Sequence, residues 1–341
     1  MPRLSFTQPA DFLKERDFGQ KLEATFDFIR AHFKPLGKCL LYIVLPIALL
    51  NGIMVGLLQA RLGSYFRAAT IASRTGGTMN YFSFSEQVPQ SLLFVVTGLI
   101  TFALGILTVY GYMVLRLHQE DPTAEISVAE VWAFVRRRLL GTILAFIGLA
   151  ICFMLLFIPF FGMVFLGGLG AGSSGGVAFL FLLIPVCYCA FLYMGVTLSL
   201  FFIIWVREEL GFFATLRRCF YLIWGKWWST FGLLVVMSMI VSLIMLVLVM
   251  PVSFLNVWSL VKPDDTPVSP ILTVAANSFS TIAIMLLYTL IFIALAFQYF
   301  NLVERKDGEG LRSLVDRLGQ PAAAAPLHPD DHYRPEEEGD Y

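Results

Sequence analysis

Apolar residues in this chain fall into six long runs, at 39–58, 91–115, 139–161, 177–206, 229–254 and 271–303. Each has about twenty residues or more, the length an α-helix needs to cross a hydrocarbon core of about 30 Å. The pattern predicts an all-α polytopic membrane helix bundle with six transmembrane helices. The fourth run is longer than the core requires, so a tilt or a kink at Pro185 is expected there. Between the runs the pattern turns amphipathic. Phe18, Leu22, Phe26, Ile29 and Phe33 recur at helical spacing with Lys21, Glu23, Asp27 and Arg30 between them. This predicts a helix lying in the membrane interface and ended by Pro35 and Gly37. Ser127 and Glu130 form a capping box that opens a short helix ending at Arg136, Arg137 and Arg138. A third amphipathic segment begins near Gly211, and a small surface helix is expected over 310–318.

Three times, then, the chain reads amphipathic helix, span, outer loop, span. The exits of the even spans, VLRLHQEDP, IWVREELG and LVERKDGEG, also look alike. This raises a repeat of three helical hairpins, against the plainer reading that any cytoplasmic helix end favours Arg, Glu and Gly. Three regions follow: an N-terminal arm with its interface helix at 1–38, a six-span domain at 39–303, and a tail at 304–341. Residues 1–17 read as loose. The Pro/Ala-rich acidic segment from about 320 cannot bury a core and reads as disordered.

Composition agrees with a membrane solvent. Hydrophobic residues make up 58% of the 341 and charged ones 14%, whereas a soluble domain carries about 25% charged residues. Net charge is zero, but Lys and Arg gather in the N-terminal arm, in the second and fourth connections and in the tail. With six spans, that bias predicts both termini on the cytoplasmic side. Tyr110 and Tyr112 are expected as an aromatic anchor at the headgroup level.

Candidate chemistry is sparse. No Asp, Glu, Lys, Arg or His sits in the middle of a run, which argues against a proton-coupled pump or a carboxylate-based antiporter. Asn51, Thr101, Thr142, Thr197 and Ser238 are mild polar groups suited to helix–helix hydrogen bonds. The five cysteines form no framework, the four histidines lie outside the runs, and no nucleophile stands near a His in sequence. No catalytic, metal-binding or cofactor-binding residue is predicted, and nucleic acid is not expected as a partner.

The stretch 206–233 carries the densest signal: a charged turn, an amphipathic segment with an Arg pair, then Lys226, Trp227 and Trp228 at the entry of the next run. Phe213, Leu216, Phe220, Ile223, Trp224 and Trp227 share one broad face, with Thr215, Arg218 and Lys226 opposite. One reading is a topological anchor with an aromatic belt. The functional reading is a lipid-interface site at Arg136, Arg137, Arg138, Arg217, Arg218, Lys226, Trp227 and Trp228 that holds anionic headgroups.

The same stretch resembles the membrane domain attached to some bacterial glycerophosphoryl diester phosphodiesterases, and related stand-alone six-span proteins. The resemblance rests on an acidic span exit at Glu208 or Glu209, a Gly, an Ala214-to-Arg217 step and an aromatic-rich entry to the next span. It is best over roughly 90–310. It implies a bacterial inner-membrane location. It does not imply the phosphodiesterase activity, which in that family belongs to a separate barrel with a His-Arg-Gly motif that this sequence lacks. The leading expectation is a non-enzymatic integral membrane protein with a scaffolding, partner-binding or lipid-organising role. Its partners would be membrane lipids, a protein, or a second copy in a homo-oligomer. The alternative is a transporter or permease for a lipid or neutral solute, suggested by breaks at Pro46, Pro159, Pro185 and Pro251.

Overall fold

The computed structural model describes Phe6 and residues 9–75, 84–119, 124–169, 174–261 and 269–318. The expected disordered tail from 320, the glycine pair at 76–77 and most of the polar loop at 262–270 lie outside the described residues. The rest is helical: α1 (Pro9–Phe12), α2 (Phe18–Cys39), a π-helical segment (Leu40–Val44), α3 (Leu45–Thr75), α4 (Phe84–His118), α5 (Val128–Leu169), α6 (Ser174–Leu198), α7 (Phe201–Glu208), α8 (Phe212–Ile223), α9 (Trp227–Val261), α10 (Pro270–Asp307) and α11 (Glu309–Leu318). Among the described residues, six stretches of helix are long and apolar enough to cross a membrane. The fold is an all-α polytopic membrane bundle. Helices α4 and α10 are its most buried members, and α5 and α9 lie at its periphery.

Helix joints differ from the sequence expectation. Pro35 does not end the first amphipathic helix. The backbone departs from helical angles at His32 (φ −113°, ψ 15°), and the chain then runs through Pro35 and the π-helical segment into α3. Proline removes one ladder bond and bends a helix, and one irregular residue absorbs that bend. The helix capped by Ser127, whose Oγ accepts from the Glu130 amide at 3.3 Å, continues without a joint into the third span. Helix α6 likewise passes straight through Pro185. The fourth span breaks instead at Ser199, whose amide and hydroxyl both donate to the Val196 carbonyl at 3.3 and 2.7 Å. That double claim on one carbonyl tightens the turn, and the ladder restarts at Leu200.

The closest helix approach joins α3 to α10. A Cβ at Gly52 would lie 2.5 Å from the Ser278 Cα, and one at Gly56 would lie 2.6 Å from the Val274 Cα. Two glycines four apart therefore let backbone meet backbone, the packing that lipid-embedded helices use when hydrophobicity alone cannot drive association. Beside this seam, Thr97 Oγ1 donates to Asn51 Oδ1 at 3.0 Å and ties α4 to α3.

Two expectations about the arm and its anchor are corrected. Residues 1–17 are not all loose. Phe6 and Phe12 are buried, and with Phe28 and Phe297 they form a ring cluster with centroids 5.3 to 6.3 Å apart. The Arg16 amide donates to Asn301 Oδ1 at 2.8 Å, and its guanidinium lies over the Phe297 ring. Tyr110 and Tyr112, read as headgroup anchors, are buried inside the bundle. Tyr110 packs edge-on against Phe292, and Tyr112 against Phe28 and His32.

Candidate functional site

The amphipathic helices turn some of their aromatic side chains outward. On α2, Phe33 is 69% exposed, while Lys21, Thr25, Phe28 and His32 are buried. On α8, Phe213 is 80% and Trp224 77% exposed, while Thr215, Cys219, Leu222 and Ile223 are buried. Ile223 therefore sits on the inner face, not with the outer aromatic group. Each helix thus has an inner face that mixes polar groups with Phe28, Leu222 and Ile223, and an outer face that carries exposed rings, as expected of helices whose outer solvent is apolar.

The eight predicted lipid-interface residues divide into two groups. Arg136, Arg137, Arg217, Lys226 and Trp228 are exposed. Arg138, Arg218 and Trp227 are partly buried and engaged. Arg138 Nη1 donates to the Val206 carbonyl at 2.6 Å, its other arm pairs with Glu209, and its guanidinium lies 4.4 Å from the Phe134 ring centroid. Arg218 Nε donates to both Glu208 oxygens at 3.0 and 3.2 Å, and a second nitrogen pairs with Asp307. Burial alone would lower the Arg218 pKa. The bonds to Asp307 and Glu208 outweigh it and hold the pKa above its ordinary value. Trp227 stacks on Tyr193, with centroids 5.9 Å apart, and donates to the Tyr193 carbonyl.

Sequence reasoning did not find the partners that make this cluster a clasp. The Tyr299 hydroxyl donates to Glu208 Oε1 at 2.8 Å and accepts from Arg207 Nη1 at 3.0 Å. Arg207 also pairs with Glu309, and Lys306 donates to the Tyr221 and Trp224 carbonyls. Glu304 accepts from the Gly310 and Leu311 amides and caps α11. These bonds bind α5, α7, α8, α10 and α11 into one end of the bundle, here called the basic end. The signal available in the sequence was the phase of α8, which sets Arg218 opposite the exposed rings.

A cavity of about 400 Å³, open to the surroundings rather than enclosed, lies between α4, α5, α6–α7 and α10. Its wall is largely aromatic: Phe102, Phe146, Phe153, Phe202 and Phe292, with Tyr110 toward the basic end. Phe146 and Phe202 are in direct contact in this wall, with ring centroids 4.1 Å apart. Gly195 and Ser199, at the break of the fourth span, form one side. A Cβ added at Gly195 would meet nothing within 4 Å, so this glycine holds space open. Its lining has no charged side chain, with Ser199 and Tyr110 as its polar side chains. Among the described residues, no group of three or more His, Cys, Asp or Glu side chains could hold a metal ion.

No family model, no curated protein and no solved structure matches this chain.

Proposed function

We propose that this chain is a non-catalytic integral membrane protein that organises lipid by holding a hydrocarbon chain in its aromatic cavity. One observation carries the reading: the cavity of about 400 Å³ walled by rings and opened by Gly195. Apolar cavities stay dry and take apolar ligands, and about 150 Å³ suffices for a benzene-sized one. A space of this size suits a longer, flexible chain. The outward aromatic faces of α2 and α8 support the same reading, because they suit contact with acyl chains near the headgroups. The resemblance to phosphodiesterase membrane domains is compatible with a role in lipid handling.

In this reading the protein sits in the bacterial inner membrane with its basic end and both termini in the cytoplasm. The support is the Lys/Arg asymmetry. Cysteines introduced at Glu125 and Asp265 should label from opposite sides, and labelling from the same side would overturn the orientation.

The test of lipid holding fills the cavity. Gly195→Leu should fold with wild-type stability yet lose most of the binding of a fluorescent polyene fatty acid. Unchanged binding would refute the proposal. Faster movement of a labelled lipid between leaflets in wild-type proteoliposomes, lost in Gly195→Leu, would instead favour the permease reading.

A further inference from the structure

A second hollow, also of about 400 Å³, opens at the basic end where the α2 kink meets the end of α4. Arg30, His32 and Lys34 come from α2, Tyr112 and Arg116 from α4, and Glu125 from the segment before α5. Arg30 and Lys34 are exposed at its rim, and the half-buried Asp27 stands 3.8 Å from Arg30. Arg116 is buried and held in place, its Nη1 donating to Gln119 Oε1 at 3.0 Å and to the Ala124 carbonyl at 2.9 Å. The hollow thus has three cations with one of them fixed in advance, the arrangement that suits a phosphate.

It also has acceptors. Glu125 is exposed. Ala31 lines the hollow, and because Pro35 has no N–H, the Ala31 carbonyl has no amide four residues on to accept from. His32 Nδ1 lies 3.2 Å from the Phe28 carbonyl, which can only accept, so that nitrogen carries the proton. In the neutral ring Nε2 is then a further acceptor.

We propose that this hollow binds a phospholipid headgroup that joins a phosphate to a primary ammonium. The phosphate lies among Arg30, Lys34 and Arg116, and the ammonium donates to Glu125 and the Ala31 carbonyl. A phosphoglycerol headgroup leaves Glu125 facing an anion with no cation to meet it. A phosphocholine headgroup carries its positive charge on a nitrogen with no N–H to donate. The order of preference is therefore phosphoethanolamine, then phosphocholine and phosphoglycerol. The inference rests on the reading of the basic end as lying at headgroup level, but not on the aromatic cavity. Tyr112 lines this hollow and Tyr110 the other, and residues two apart on a helix point about 200° apart. The two sites lie on opposite faces of α4 and can fail separately.

The test uses the full chain in nanodiscs of phosphatidylcholine, alone or doped with phosphatidylethanolamine or phosphatidylglycerol, with retained lipid read by native mass spectrometry. Soluble phosphoethanolamine forms a further arm. Wild type should retain phosphatidylethanolamine preferentially. Arg30→Gln with Lys34→Gln should weaken that retention about tenfold or more, since each removes a charge-assisted bond. Glu125→Gln should abolish the preference over phosphatidylcholine while leaving lipid retention in place. All three positions are exposed, so the variants should keep wild-type helicity and fatty-acid binding at the cavity. Equal retention of the three lipids, preference for phosphatidylglycerol, or an unchanged preference in Glu125→Gln would overturn the proposal. Thermal stabilisation by soluble phosphoethanolamine without lipid retention would overturn the lipid source and assign the hollow to a soluble ligand of the same chemistry.

Discussion

Replacing Gly52 and Gly56 by alanine tests the α3–α10 seam directly. At Gly52 the new methyl would lie 2.5 Å from the Ser278 Cα and 3.2 Å from its Cβ and carbonyl oxygen. At Gly56 it would lie 2.6 Å from the Val274 Cα. Carbon atoms pack best at about 3.5–4.0 Å, so the helices must part by roughly 1 Å. A gap of that size forfeits about a quarter to a half of the dispersion well for each atom pair along the seam. The obstacle is backbone and cannot rotate aside, so the upper part of the usual overpacking cost applies, about 3 kcal/mol per site. Alanine's better helix propensity returns about 1 kcal/mol. The net expectation is a loss of about 2 kcal/mol for either single variant and about 4 kcal/mol for the double. Gly195→Ala is the matched control, since nothing lies within 4 Å of its added Cβ, and it should be neutral or stabilising by up to about 1 kcal/mol. Reversible unfolding in mixed micelles with increasing denaturing detergent reads the four variants and wild type on one scale. A double variant as stable as wild type would refute the reasoning, because the seam would then be able to relax at no cost.

Three further outcomes are expected. Arg218→Gln breaks the pairs with Glu208 and Asp307 and should cost about 2 kcal/mol, whereas Arg217→Gln, fully in the open, should stay within about 0.5 kcal/mol; equal effects in the same denaturation assay would refute the clasp. The Cys219 thiol is pushed up to about 12, chiefly by burial, so it stays protonated at neutral pH. A small maleimide should label it only after denaturation, and rapid labelling of the folded protein would show that α8 opens. Phe12→Ala removes a fully buried ring from the arm's cluster and should lower stability by about 3 kcal/mol or more, and a thermal midpoint unchanged from wild type would mean that the arm does not dock.

The transmembrane class was legible because run length and hydrophobicity are local properties. The small helix expected over 310–318 is α11, one residue longer at its start. Helix joints were less legible. Proline marks where a helix loses a bond, but whether the chain bends there depends on what its neighbours allow, so Pro185 passes through while Ser199 breaks. Gly52 and Gly56 were readable as a small-residue pair in an apolar run, and their partner was not, since nothing local points to Ser278. The rim arginines were legible as charges. That Arg218 is engaged and Arg217 is exposed follows from helix phase combined with a residue 89 positions distant, Asp307, and with Glu208, which Tyr299 holds. The aromatic cavity left no local trace at all, because its rings come from four separate helices.

The docking of the arm has a consequence for how the protein is made. Arg16 bonds to Asn301 across 285 positions of chain, and the α3–α10 seam pairs Gly52 with Ser278 and Gly56 with Val274, each more than two hundred positions away. Ribosomal synthesis delivers the arm and α3 long before α10. Until α10 enters the bilayer, the Gly52–Gly56 ridge faces lipid or an insertion factor, and the rings of Phe6 and Phe12 lack Phe297 and Phe300. Such distant pairings close slowly, and the half-built bundle exposes adhesive backbone meanwhile. Completion of the fold is thus timed by the emergence of a helix translated long after the arm and α3 that it holds.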